Sequence, residues 1–159
     1  MAASLEWHLT GGAANSDPDL SLGGTHSSVT ISGTAMNNLF DNVSAAEATA
    51  GDNEYRALDL KNTGDATATG VEIYMSTETS SGDTSLDFWA EATADTTTSV
   101  ANESTAPGGS SFSHYTTGSR LSTIDIPAGS YVRVWFKRIV SAAATNTAND
   151  SGTFTVEYA

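Results

Sequence analysis

YVRVWFKRIV, residues 131–140, decides the fold, because seven of its ten positions are apolar or aromatic and they alternate. Val132, Val134, Phe136 and Val140 point to one side, interrupted by Arg138. Tyr131, Arg133, Trp135, Lys137 and Ile139 point to the other. A period of two carried by β-branched and aromatic residues is the pattern of a strand, since successive side chains on extended backbone face opposite ways. The turn IPAGS (126–130) leads into it. A small-residue connection, SAAATNTANDSG (141–152), leads out to TFTVEY (153–158), which places Phe154, Val156 and Tyr158 inward.

The same grammar extends upstream. In EYRALDL (54–60), Tyr55, Ala57 and Asp59 face one way and Arg56, Leu58 and Leu60 the other; KNTGDATATG supplies a turn, and VEIYM (71–75) aligns Val71, Ile73 and Met75. Leu86, Phe88 and Ala90 then alternate with Asp87, Trp89 and Glu91. The polar stretch 93–109 ends in Pro-Gly-Gly and reads as a long exposed loop or a weak edge strand. Residues 37–50, with Leu39, Phe40 and Val43 at helical spacing and an alanine-rich run stopped by Gly51, predict one short helix or a helical turn. At the amino terminus Leu5, Trp7 and Leu9 alternate before GGAANSDPDLSLGG (11–24). Residues 1–24 therefore predict a short strand and an extended arm, and residues 25–159 a single domain. Several short strands without βαβ alternation predict an all-β fold, an antiparallel β-sandwich of jelly-roll or immunoglobulin-like type.

Composition agrees. The 159 residues (16.4 kDa) fit one domain, only 16% are charged, and Ser and Thr together exceed a quarter of the chain, which disfavours a helical bundle. Six basic against nineteen acidic residues give a net charge of −13, so nucleic acid and anionic membrane are not expected as direct partners. With no cysteine, disulfides and thiolate chemistry are absent. The opening MAASLEWHLT lacks a basic start and an apolar run, so synthesis in a cytoplasm is expected.

Catalytic patterns are not evident. His8, His26 and His114 are scattered in sequence, no serine sits in a Gly-x-Ser-x-Gly elbow, and Glu72, Asp87 and Glu91 are compatible with a carboxylate pair without indicating one. No metal site and no cofactor are expected. The acidic loops around Asn15, Asp17 and Asp19, around Asp52, Asn53 and Glu54, and at Asn149 and Asp150 read as solvated carboxylates, calcium being the alternative. The sharper feature is the stripe Tyr131, Arg133, Trp135 and Lys137, in a region from Arg120 to Arg138 that holds four of the six basic residues. Aromatic and arginine anchors enrich interface cores, so this stripe, with Leu5, Trp7 and Leu9 of the amino-terminal segment, is one candidate docking surface. The other reading packs it beneath a loop or a second sheet. Under the docking reading, replacing Trp135 and Arg133 by alanine is expected to lower binding, and deleting residues 1–24 to abolish it, with the fold intact in both.

Three segments, LEWHLTGGAANSDPDLSLGG (5–24), NLFDNVSAAEATAGDNEYRALDLKNTG (38–64) and IDIPAGSYVRVWFKRIV (124–140), resemble small virion structural proteins of tailed bacteriophages in order and phrasing across nearly the whole chain. LKNTG (60–64), ATGVEIYM (68–75) and IPAGSYVRVWF (126–136) are also similar to the strand–turn–strand grammar of immunoglobulin-like sandwiches. The resemblance implies a non-enzymatic capsid decoration (cement) protein of the virion surface. Its partners would be the major capsid protein and neighbouring copies of itself or a homo-oligomer. The alternative is a tail- or fibre-associated carbohydrate- or receptor-binding module stacking sugars on Trp89 or Tyr115.

Overall fold

A computed structural model describes residues 2–34, 37–147 and 150–159. The decisive stretch forms β7 (Tyr131–Val140), which lies between β3 (Asp52–Asn62) and β5 (Thr84–Ala94), antiparallel to both. On the far side of β3 comes β1 (Leu5–Thr10), and then β2 (His26–Thr30), giving a five-stranded sheet of order β2-β1-β3-β7-β5. A second sheet has the order β6-β4-β8, from β6 (Leu121–Ser122), β4 (Glu72–Glu78) and β8 (Gly152–Glu157). The chain is an all-β antiparallel sandwich.

The core fills the space between the sheets. Leu58 and Leu60 of β3, Phe88 of β5, and Val132, Val134 and Phe136 of β7 meet Val71, Ile73, Met75 and Leu121, with Phe154 and Val156 half-buried against them. Phe154 is central: its ring lies 4.6 Å from Phe136 and 5.7 Å from Phe88, close enough for favourable aromatic packing. Trp7 approaches Phe136 edge-on at 5.8 Å.

The helix α1 (Ala45–Ala50) is shorter than the spacing suggests. Ser44 caps it with a reciprocal bond to Glu47, and Gly51 stops it. The apolar residues that suggested a longer helix serve tertiary contacts instead: Leu39 is buried in the core, and Phe40 lies under the guanidinium groups of Arg138 and Arg56. Tyr158, expected inward, is 41% exposed, because it follows the last residue of β8.

Within residues 1–24 only part behaves as an arm. Pairing of residues 5–8 with residues 59–62 of β3 makes β1 an inner strand, with Leu5↔Asn62 and His8↔Asp59 in register and Leu9 in the core. Beyond Thr10 the chain runs in turns through a single 3₁₀ turn, Pro18–Leu20, that Asp17 caps.

Candidate functional site

Alternation along β7 is as the sequence implies, and the Tyr131, Arg133 and Trp135 side of the large sheet faces away from the core cluster. It does not face solvent. Segments 21–24 and 98–100 pair with each other as a lid over it: Gly24 N–H donates to Thr98 C=O at 2.9 Å and Val100 N–H to Leu22 C=O at 3.0 Å. Gly23 makes this crossing possible. Its φ of +84° suits glycine, and a Cβ there would stand 2.1 Å from the Thr98 oxygen.

Beneath the lid, Arg133 and Asp59 are fully buried. The guanidinium grips the carboxylate with two bonds, Nε to Oδ1 at 2.9 Å and Nη2 to Oδ2 at 3.1 Å, and spends its other donors on Thr98 C=O (2.7 Å) and Gly24 C=O (2.9 Å). One arginine thus ties two strands to both lid segments. Trp135, also fully buried, donates its indole N–H to Glu91 at 2.8 Å and packs with Tyr55, Ala57, Val100 and Phe112. Tyr131 donates its hydroxyl to Thr96 C=O at 2.7 Å.

The exposed docking stripe is therefore corrected. Tyr131, Arg133 and Trp135 are buried structural groups, and among the stripe residues only Lys137 is partly exposed. The reason is that polar loops rich in Ser, Thr and Gly supply main-chain carbonyls to satisfy a buried arginine, so this face needs no second apolar sheet. Leu9 is buried, and Leu5 and Trp7 are half-buried against the core. The double alanine change and the deletion of residues 1–24 are consequently expected to unfold the protein, since one strips the stripe and the other removes an inner strand.

Two of the three histidines, distant in sequence, come together. His26 donates Nδ1–H to Asp59 at 3.0 Å, stacks on Tyr131 at 4.8 Å, and lies 5.0 Å from the ring of His8. Burial pulls the His26 imidazole below its ordinary 6.5, against the pull of Asp59. Burial likewise pushes the Asp59 carboxyl up, opposed by Arg133 and His26. Sequence spacing alone gave no sign of this cluster; only the β1–β3 and β1–β2 registers create it. His114 stays at the surface beside Glu78, 3.2 Å away.

The acidic loops serve turns and ion pairs. Asn15 accepts from Asp17 N–H, and Asp17 from Asp19 N–H, fixing the 3₁₀ turn. Glu47, Asp52 and Glu54 bring carboxylate oxygens within 4.8 Å of one another, but Glu54 is paired with Arg138 and Glu47 caps α1. Asn149 lies outside the described residues, and Asp150 accepts from Thr84. Glu72 belongs to the small sheet and Asp87 and Glu91 to the large one, so the three do not face one cleft.

All four arginines are spent internally: Arg56 on Glu103 (2.6 Å), Arg133 on Asp59, Arg138 on Glu54 and Asp41, and Arg120 on Glu72 (3.0 Å) and Glu157. The outside of the molecule is left acidic, with Leu20 (58% exposed) and Tyr158 as its exposed large apolar side chains among the described residues. Fold and site together define a braced, acidic β-sandwich whose charged clusters hold loops to sheets. Comparison with protein-family models, with curated proteins and with solved structures finds no match to this chain.

Proposed function

We propose that the chain is a non-enzymatic structural protein of a tailed-phage virion, a decoration protein that docks on the outer surface of the major capsid protein shell and stabilises the head. The observation that carries this reading is the disposition of charge. A net charge of −13 with every arginine neutralised internally leaves an acidic block that pairs with a basic partner surface. The resemblance in segment order, across nearly the whole chain, supports the major capsid protein as that partner. Support also comes from the bracing: a sheet covered on both faces, with its lid tied down through a buried arginine, suits a part that bears load. Docking falls to the outer loops, where Leu20 stands on a turn fixed by Asn15 and Asp17. Many modest contacts repeated over a shell add up to firm attachment.

The test is co-sedimentation of the purified chain with heads lacking it. Saturable binding that weakens as salt rises supports the reading, because exposed charge pairs are screened. Absence of binding at low salt refutes it.

A second reading, a carbohydrate- or receptor-binding module, is favoured by one observation: Trp89 is only half-buried and meets Phe112 edge-on at 6.3 Å, leaving part of its indole open. Tyr115 is less suited, being packed on Phe88 at 5.2 Å. Quenching of tryptophan fluorescence by added polysaccharide would move this reading to first place.

A further inference from the structure

Sheet edges expose unpaired main-chain groups, and proteins ordinarily shield them. Among the described residues, three of the four sheet edges are shielded. β2 receives the loop at Ala13, whose carbonyl accepts from Ser28 N–H; β5 is bridged by Ser113 at Phe88; β6 is only two residues long. β8 is different. Among the described residues, its outer side has no main-chain partner, and Gly152–Glu157 contains no lysine or proline, its one charge, Glu157, being paired with Arg120.

Register shows which groups are open. Met75 donates its N–H to Tyr115 C=O, away from β8. Met75↔Phe154 and Ile73↔Val156 are therefore non-hydrogen-bonded pairs, and Phe154 and Val156 turn their own N–H and C=O outward. Ala159 exchanges both bonds with Thr69, so Tyr158 turns outward too.

We propose that β8 is a self-association edge, on which a second copy of this chain adds its own β8 antiparallel about a twofold axis at Val156, joining two three-stranded sheets into one. The edge is self-complementary in this register. Val156 meets Val156 of the second copy and Phe154 meets Tyr158, all outward-facing positions, which closes about six main-chain hydrogen bonds. The exposed Tyr158 ring falls beside the half-buried Phe154 of the second copy, covering apolar surface on both. Glu157 falls opposite Thr155, not opposite its own counterpart, and each Glu157 is already paired with Arg120 within its own chain. Like charges are therefore not placed face to face. A twofold, isologous contact of this kind closes on itself and stops at two copies. It stands independently of the virion reading, which concerns the surface around Leu20.

Light scattering coupled to size exclusion on the full chain, from micromolar to near-millimolar concentration and at low and high salt, tests it. A concentration-dependent dimer is expected, strengthened by salt because two chains of net charge −13 repel. Register is tested by two substitutions on the solvent face. Thr155→Glu sets two like-charge pairs across the axis and is expected to weaken the dimer about tenfold; Thr155→Lys sets two opposite-charge pairs and is expected to strengthen it several-fold. Circular dichroism checks that both variants remain folded. A monomer throughout the range overturns the proposal, as do equal effects of the two substitutions or a dimer larger species replaces.

Discussion

Arg133→Met tests the claim that the stripe is a structural lock. Methionine keeps most of the stem's volume but withdraws the charge, so Asp59 stays fully buried with His26 as its remaining polar partner, and the Thr98 and Gly24 carbonyls lose a donor. Breaking a buried pair by removing one partner costs about 3–5 kcal/mol. Against a total stability of about 5–15 kcal/mol and a urea dependence of about 1–3 kcal/mol per molar, the unfolding midpoint should fall by about 2 M. The double variant Asp59→Asn with Arg133→Met removes the stranded charge and should recover part of that loss. pH gives a second handle. Burial raises the folded-state pKa of Asp59, and loss of Arg133 raises it further. A carboxyl with a raised folded pKa contributes stability below its unfolded pKa and loses it as pH rises through the folded one, so the penalty of Arg133→Met should grow with pH. Urea titrations followed by tryptophan fluorescence at several pH values make the measurement. A midpoint within a few tenths of molar of the unsubstituted protein would refute the lock, as would a double variant no more stable than the single.

Trp135→Ala should destabilise by about 3–5 kcal/mol in thermal unfolding, from the lost indole and the loss of its N–H donor to Glu91, which keeps only the Thr98 hydroxyl. Gly23→Ala should be far more damaging than Gly70→Ala in the same assay: both have positive φ, but only at Gly23 does the new methyl meet a main-chain oxygen. His26 titrates below its ordinary value in the folded state, so the unfolded chain takes up the proton first. Stability should fall as pH drops through about 6.5, and His26→Gln should flatten that slope. Leu20→Asp should leave the unfolding midpoint unchanged and lower occupancy on heads in a co-sedimentation assay.

The sandwich was legible because strand periodicity is local. Alternation in 54–60, 71–75, 86–91 and 131–140 reports which residues share a face, and those faces are the ones observed. The fate of the second face was not legible. Arg133 among aromatic residues reads equally as an anchor for a partner or as a tie for a loop, and the difference lies in carbonyls of Gly24 and Thr98, which any residue carries. Leu39 and Phe40 misled for a related reason: helical spacing in a short segment arises by chance when each residue answers to a different tertiary neighbour. The His8–His26–Asp59 cluster depends on strand registers, and no single window of sequence holds it.

Immunogold electron microscopy, with antibody to the purified chain on intact virus particles from the culture that makes this protein, tests the central claim most directly. The account predicts gold spread evenly over the heads. Gold confined to tails or fibres, or particles without label, would contradict it.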